Sequence, residues 1–188
     1  VVMFIDRVAG APGLGRSAWS EQMLPQATLS ELPLVLDADA LNMLAEGRVV
    51  REPHRSDWVL TPHPAEAARL LGISTADVQR DRFAAVRALQ QRYGGTVVLK
   101  GAGSLVCGAS GIVGVCSGGN PGMASGGMGD VLAGIIGSLL AQDIEPETAV
   151  QLGVCLHAEA ADAAVEEQGE RGLLASDLIA QLQGLVNP

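Results

Sequence analysis

Glycines and a single carboxylate dominate residues 118–134, whose sequence is GGNPGMASGGMGDVLAG. Seven glycines of this stretch surround Asp130, and an apolar run follows directly after it. Each glycine in regular structure costs up to ~1 kcal/mol of chain entropy, so this composition predicts a close approach of the backbone to a ligand. Bare backbone N–H groups, a helix N-terminus and one carboxylate at the same point suit a phosphate that is being transferred. Asp130 is therefore the first candidate for a catalytic residue.

The residues from Val131 onward predict a buried helix with Asp130 at its N-cap. An ionised carboxylate near a substrate hydroxyl can accept its proton while the oxygen attacks phosphorus, so Asp130 fits the role of a general base. A structural interpretation explains the same pattern, because Asp is a preferred N-cap residue and glycines form tight turns. Both interpretations stay open on this segment alone.

Lys100 is the only lysine among the 12 Lys and Arg residues of the chain. It follows a short apolar run and precedes Gly101, Ala102, Gly103 and Ser104. An ammonium group and successive backbone amides at the end of a strand predict a phosphate or nucleotide contact. The structural alternative is a solvated charge at a strand end. The segment is not a Walker loop, because the chain lacks GxxxxGK[ST].

His63 stands between two prolines, whose restricted backbones can aim its ring at a ligand with little loss of entropy. An ordinary surface histidine is the alternative interpretation, and His157 is expected to be structural. Asp37 and Asp39 follow another apolar run. We expect Asp39 to cap the next helix, whereas Asp37 either caps it or orients a phosphate-bound metal ion.

Short apolar runs that alternate with helical segments predict a mostly parallel sheet covered by helices on both faces. The runs at residues 34–36, 58–60 and 96–99 lead into DADALN, TPHP and KGAGS, and a hairpin is predicted after them. Helices are predicted over residues 17–29, 65–71, 75–93, 131–142, 146–168 and 176–186. Ligands of such sheets bind outside the carboxyl ends of the strands, so these motifs and the glycine stretch are expected to converge on one edge.

The composition is that of a single folded domain spanning residues 1–188, since 48% of the residues are hydrophobic and 18% are charged. A net charge of −9 argues against nucleic acid or an anionic membrane as a partner. No apolar run is long enough to span a bilayer and no leader pattern opens the chain, so a soluble, cytoplasmic protein is expected. The three cysteines lack zinc-ligand spacing and are expected to be reduced.

Five motifs carry a resemblance to a known family. They are APGLG at 11–15, LDADALN at 36–42, LTPHPAE at 60–66, KGAGS at 100–104 and NPGMASGGMGD at 120–130. In this order the chain resembles the ADP-dependent NAD(P)H-hydrate dehydratases, also known as the YjeF C-terminal domain family. The resemblance implies a ribokinase-like fold, a three-layer α/β/α arrangement around a mostly parallel sheet.

The resemblance also implies an activity, a lyase that repairs metabolites. Such an enzyme dehydrates the S form of hydrated NADH or NADPH, with ADP as co-substrate, and releases AMP and phosphate. Magnesium on the nucleotide phosphates is expected, with no metal ligand assigned to the protein, and the family suggests a homotetramer. By the same analogy, the residues that bind the adenine nucleotide are Lys100, Gly101, Ala102, Gly103, Ser104 and Gly129. Gly15, His63 and Asp130 would contact the hydrated dinucleotide, and Asp130 would act as the base.

Two departures and two rival hypotheses accompany the resemblance. Ala11 stands where members usually carry glycine, and members begin well before the position of Val1, so the N-terminal part of the domain is expected to be missing. A small-molecule kinase of the same fold, of the hydroxyethylthiazole or hydroxymethylpyrimidine type, is the first rival. An inactive nucleotide-binding module is the second.

Overall fold

The computed structural model describes residues 3–5 and 8–10 as backbone, and residues 14–15, 17–47, 50 and 53–187 with their side chains. The strands in chain order are β1 Met3–Ile5, β2 Val8–Gly10, β3 Leu34–Leu36, β4 Trp58–Leu60, β5 Thr96–Leu99, β6 Ser104–Cys107 and β7 Val113–Cys116. The helices are α1 Ala18–Leu29, α2 Ala38–Glu46, α3 Pro64–Leu71, α4 Thr75–Arg80, α5 Arg82–Tyr93, α6 Met128–Leu140, α7 Pro146–Gln168 and α8 Ala175–Val186.

The strands of the described residues form one sheet whose spatial order is the order of the sequence. The central strands β2 to β5 are parallel, while β1 at one edge and β6 and β7 at the other pair antiparallel with their neighbours. In the parallel part Leu36 pairs with Leu60, and Leu60 pairs with Val97. The carboxyl ends of β3, β4 and β5 therefore lie side by side, as the sequence predicts.

Alternate residues of the central strands enter two separate cores, because successive side chains of a strand point to opposite faces. Leu36, Leu60 and Leu99 pack with helices α1 to α5 on one face. Val35, Val59 and their neighbours pack with α6 and α7 on the other face. Fully burying one such side chain contributes roughly 1.5–3 kcal/mol, so these two cores hold the three layers together. Helix α8 packs against α6 and α7 in a third cluster.

The single helix predicted over residues 75–93 is two helices, α4 and α5, which meet at Asp81. Asp81 has φ −144° and ψ 82°, outside the helical region, and its side chain accepts a hydrogen bond from the Ala84 N–H at 2.8 Å. The carboxylate therefore caps the second helix, and the chain changes direction there. This break places Arg82 at the start of α5.

Candidate functional site

A partly buried ion pair lies where the three central strands end. Asp37 follows β3, Thr61 follows β4 and Lys100 follows β5. The same carboxylate oxygen of Asp37 accepts hydrogen bonds from Lys100 Nζ at 2.7 Å and from Thr61 Oγ1 at 2.8 Å. Asp37 is only 3% exposed, so its charge needs these partners. Lys100 is thus not a solvated charge at a strand end, and Asp37 holds the lysine instead of capping α2 with its side chain.

The backbone directly after Asp37 is strained. Ala38 has φ +47°, a left-handed conformation that residues with a Cβ rarely adopt. Strain of this kind costs on the order of 1–3 kcal/mol and clusters at functional sites, where the surrounding structure holds it in place. The turn from β3 into α2 is therefore fixed by contacts beyond the local sequence.

Helix α6 begins earlier than the sequence predicts. Its N-cap is Gly127, at φ +87°, and Asp130 is the third residue of the helix and not its cap. The first backbone bond between the cap and the helix runs from the Val131 N–H to the Gly127 carbonyl at 3.1 Å. The preceding N–H groups of the first turn have no acceptor within the helix, which makes this end a suitable site for an anion.

Gly129 brings the N-terminus of α6 against the ion pair. A Cβ at this position would lie 3.2 Å from Asp37 Oδ2 and 3.3 Å from Lys100 Nζ, closer than ordinary van der Waals contact. The absence of a side chain therefore allows the helix end and the strand ends to meet. This contact is the close backbone approach that the glycine content predicts.

A cleft of about 520 Å³ opens between these strand ends and the glycine-rich stretch. Its volume falls in the range of small-molecule sites, roughly 300–1,000 Å³. All six residues predicted to bind the nucleotide line it: Lys100, Gly101, Ala102, Gly103, Ser104 and Gly129. The remaining lining residues are Ser117, Gly118, Gly119, Asn120, Pro121, Met123, Ala124, Met128, Leu132 and His157.

Arg82 supports the cleft from behind, and sequence reasoning missed it. Its guanidinium donates to the carbonyls of Ala102 at 2.7 Å and Leu99 at 3.2 Å, which fixes the turn after β5. Arginine at the start of a helix carries no local signal of this role. Only a prediction of the helix break at Asp81 would have placed Arg82 at the start of a helix, near the turn after β5.

His157 of α7 also lines the cleft, although only a structural role is expected for it from the sequence. The pKa of His157 is lowered to about 4, mainly by burial; a hydrogen bond with the Met128 backbone raises it and the charge of Lys100 lowers it. Among the described residues, its Nε2 atom is buried without a hydrogen-bond partner. A neutral imidazole is therefore part of the cleft wall at neutral pH.

Gly15 and His63, two of the residues expected to contact the dinucleotide, do not line this cleft. The Gly15 N–H donates to Asp39 Oδ2 at 2.9 Å, so the prediction that Asp39 caps α2 is wrong: Asp37 occupies the N-cap position. His63 Nδ1 accepts from the Ala65 N–H at 3.1 Å and caps α3, and its side chain is 48% exposed. Residues 11–13 of the APGLG motif lie outside the described residues.

Asp130 does not line the cleft, although its neighbour Gly129 does. Its side chain is exposed, and within the part of the chain that the structure describes its carboxylate has no hydrogen bond or ion pair. It borders an apolar groove formed by α6, α7 and α8. The capping interpretation is therefore excluded, while the role of Asp130 as a base stays a prediction.

Two other kinds of feature are absent over the described ranges. No group of three or more His, Cys, Asp or Glu side chains there could hold a metal ion. None of the described helices is both long and apolar enough to cross a membrane.

A mixed sheet between two helical layers, with a glycine-walled cleft at its parallel strand ends, defines a ribokinase-like α/β protein. The sequence profile of the NAD(P)H-hydrate dehydratases matches residues 4–184. The chain therefore belongs to the NAD(P)H-hydrate dehydratase family, as its motifs predict. This membership favours the dehydratase over the small-molecule kinase of the same fold.

Three similar proteins illustrate the match. The bifunctional NAD(P)H-hydrate repair enzyme Nnr of Coxiella burnetii is 56% identical over 177 residues, which cover 94% of this chain and 36% of that protein. The ADP-dependent (S)-NAD(P)H-hydrate dehydratase of Neisseria meningitidis is 46% identical, over 93% of this chain and 60% of its own length. The ADP/ATP-dependent dehydratase of Bacillus subtilis, co-crystallised with ATP and Mg²⁺, has a TM-score of 0.82 and 27% identity, covering 96% of this chain and 64% of that one. The chain thus spans less than two thirds of each of these proteins.

Proposed function

We propose that this protein uses ADP to dehydrate the S form of hydrated NADH or NADPH, which restores the reduced dinucleotide and releases AMP and phosphate. The observation that carries the proposal is the convergence of Lys100, Gly129 and the turn 101–104 on one cleft, in a chain of this family. The relative from Neisseria meningitidis is named as ADP-dependent. A cytoplasmic location and a tetrameric assembly stay predictions from the sequence.

The cleft offers two kinds of group to a diphosphate. Lys100 supplies an ammonium that Asp37 holds at 2.7 Å, and the first turn of α6 supplies backbone N–H groups. Both act on developing negative charge without reorganising during the reaction, which is the most effective form of electrostatic stabilisation. Gly129 lies between them, so a terminal phosphate near Gly129 would touch both.

The proposed chemistry has three steps. Asp130 accepts the proton of the ring hydroxyl, whose oxygen attacks the terminal phosphorus of ADP, and AMP leaves with the electrons of the broken P–O bond. The lone pair of the nicotinamide ring nitrogen then expels the phosphorylated oxygen as phosphate. Loss of a proton from the adjacent ring carbon completes the dihydropyridine. Asp130 suits the first step because no protein group in the described residues occupies its carboxylate.

Magnesium is expected to accompany the nucleotide. Mg²⁺ commonly binds through one or two carboxylates together with substrate phosphates, so an ion held mainly by ADP would need few ligands from the protein. When bound, such an ion neutralises charge on the transferring phosphoryl group. Asp37 forms an ion pair with the cleft residue Lys100 and is the described carboxylate that such an ion could reach through this pair.

Incubation of the protein with ADP, Mg²⁺ and hydrated NADH tests the proposal. The expected result is recovery of the absorbance of NADH together with one AMP and one phosphate for each NADH. Recovery of no NADH, with phosphorylation of a hydroxyethylthiazole or hydroxymethylpyrimidine alcohol by ATP, would establish the kinase instead. Stabilisation of the protein by ADP without either reaction would identify an inactive nucleotide-binding module.

A further inference from the structure

Helix α7 is tied to the glycine-rich wall of the cleft by one carboxylate. Asp162 Oδ2 accepts the Gly119 N–H at 2.8 Å, and Asp162 Oδ1 accepts the Asn120 Nδ2 amide at 2.8 Å. The other end of the Asn120 side chain, Oδ1, accepts the Gly122 N–H at 3.1 Å. Three hydrogen bonds in series therefore fix residues 119–122 onto α7.

The packing around this carboxylate leaves the loop little freedom. A Cβ at Gly118 would lie 3.2 Å from the Cβ of Ala158, one helical turn before Asp162. Gly119 has φ +95°, and a Cβ there would lie 2.7 Å from Met123 Sδ. The loop thus lies directly on α7 in a conformation that glycine favours.

The wall held in this way belongs to the nucleotide cleft. Gly118, Gly119 and Asn120 line it opposite the turn 101–104, whereas Asp162 itself does not. An ionised carboxylate only accepts hydrogen bonds, and both groups that point at it are donors. Because charge-assisted bonds are roughly twice as strong as neutral ones, this carboxylate can hold the loop before any ligand arrives.

We infer that Asp162 is a positioning residue for the adenine nucleotide: it sets the shape of the cleft wall at residues 118–120 and acts on ADP only through that wall. The inference rests on the proposed function, which supplies the ligand. It predicts that loss of the carboxylate weakens ADP binding and raises the KM for ADP, with a smaller effect on kcat.

The experiment exchanges the two polar side chains. In Asp162→Asn the new amide NH₂ must face either the Gly119 N–H or the Asn120 amide, so one donor meets another. In Asn120→Asp/Asp162→Asn every donor again faces an acceptor. The amide at position 162 accepts from the Gly119 N–H and donates to the carboxylate at position 120, which still accepts from the Gly122 N–H. The charge of the protein is the same as in the wild type. Glu166→Gln, one turn further along α7 and exposed, is the control for loss of one negative charge.

Binding of ADP is measured by calorimetry on each full-chain protein, well below its melting temperature, and KM and kcat are measured in the dehydratase assay. Loss of the charge-assisted bond is expected to raise the Kd for ADP about tenfold in Asp162→Asn, with no change in Glu166→Gln. Because residue 120 lines the cleft, the exchanged pair is compared by its melting temperature, which is expected to recover from the value of Asp162→Asn towards that of the wild type. Wild-type affinity in Asp162→Asn overturns the inference, and so does an exchanged pair whose melting temperature stays as low as that of the single variant. If the wild-type protein binds no ADP, the proposed function is wrong, and this inference is wrong with it. That outcome differs from the two above, in which the wild type binds ADP.

Discussion

Gly129 and Asp130 are neighbours in the first turn of α6, yet they face two different parts of the molecule. Gly129 lies against the buried pair of Asp37 and Lys100 and lines the cleft. Asp130 is exposed beside the apolar groove of α6, α7 and α8. Consecutive helical residues point about 100° apart, so one turn can serve two surroundings.

The two sides differ in whether their charged side chains have partners within the protein. On the cleft side each charged group has a partner: Asp37 with Lys100 and Thr61, and Arg82 with two carbonyls. The Asp130 side has no such partners among the described residues. The cleft side, where the nucleotide is proposed to bind, is therefore preorganised, whereas the proposed base would gain its partner only from the substrate.

Asp130→Asn should give the largest effect, because it removes the base and leaves the cleft side intact. We expect kcat of the dehydratase reaction to fall by about 10²–10⁴, the usual contribution of a general base. The Kd for ADP should stay within about twofold of the wild type, since no protein contact of the described cleft involves this carboxylate. Turnover close to that of the wild type would show that the base lies elsewhere.

Lys100→Met should act on the cleft side and affect both stability and binding. The variant leaves Asp37 buried without its ion partner, which is expected to lower the free energy of unfolding by about 3 kcal/mol, as measured by urea denaturation. Binding of ADP should weaken as well. The control is Asp37→Asn/Lys100→Met, which removes the buried charge: stability should largely return while ADP binding stays weak. Equal ADP affinity in the wild type and this pair would exclude Lys100 from the nucleotide site.

The cleft side also shows which features can be predicted from the sequence: those with a local signal can, and those that depend on distant contacts cannot. The apolar runs of β3, β4 and β5 and the motifs after them are local signals, so the sequence predicts the strand-end edge, and the six residues predicted to bind the nucleotide line one cleft there. The Asp37–Lys100 pair joins residues 63 positions apart, and Ala38 next to Asp37 has a positive φ. No local pattern encodes either feature.

Local statistics also explain the errors. Asp39 fits the preferences of an N-cap, but its carboxylate binds the Gly15 N–H 24 residues away. Residues 127–129 resemble a turn because glycine is a weak helix former, but α6 begins at Met128, whose side chain is buried at 5% exposure, and only Gly127 lies outside the helix. Tertiary contacts overrode propensity in both places.

His157 gives a pH test of the cleft side. Its pKa is about 4 in the folded protein, against about 6.5 for an unperturbed histidine, so between these values the unfolded state binds a proton that the folded state does not. Stability should therefore be complete above pH ~6.5 and fall by up to about 3 kcal/mol as the pH approaches 4. The difference in unfolding free energy between wild type and His157→Gln, followed by urea denaturation across this range, isolates the effect. A difference that does not change with pH would mean that the imidazole is not held neutral.

Gly129→Ala should give the smallest effect and the sharpest comparison of the two sides. Alanine favours a helix over glycine by up to about 1 kcal/mol, but the new Cβ must push Asp37 Oδ2 or Lys100 Nζ by a few tenths of an ångström. We expect stability near that of the wild type and ADP binding several-fold weaker, because the shift falls on the ion pair. Gly134→Ala is the matched control in the same helix, since a Cβ there meets nothing within 4 Å, so it should gain stability without changing the Kd for ADP. Equal ADP affinity in both variants would show that the nucleotide does not use the contact between α6 and the strand ends.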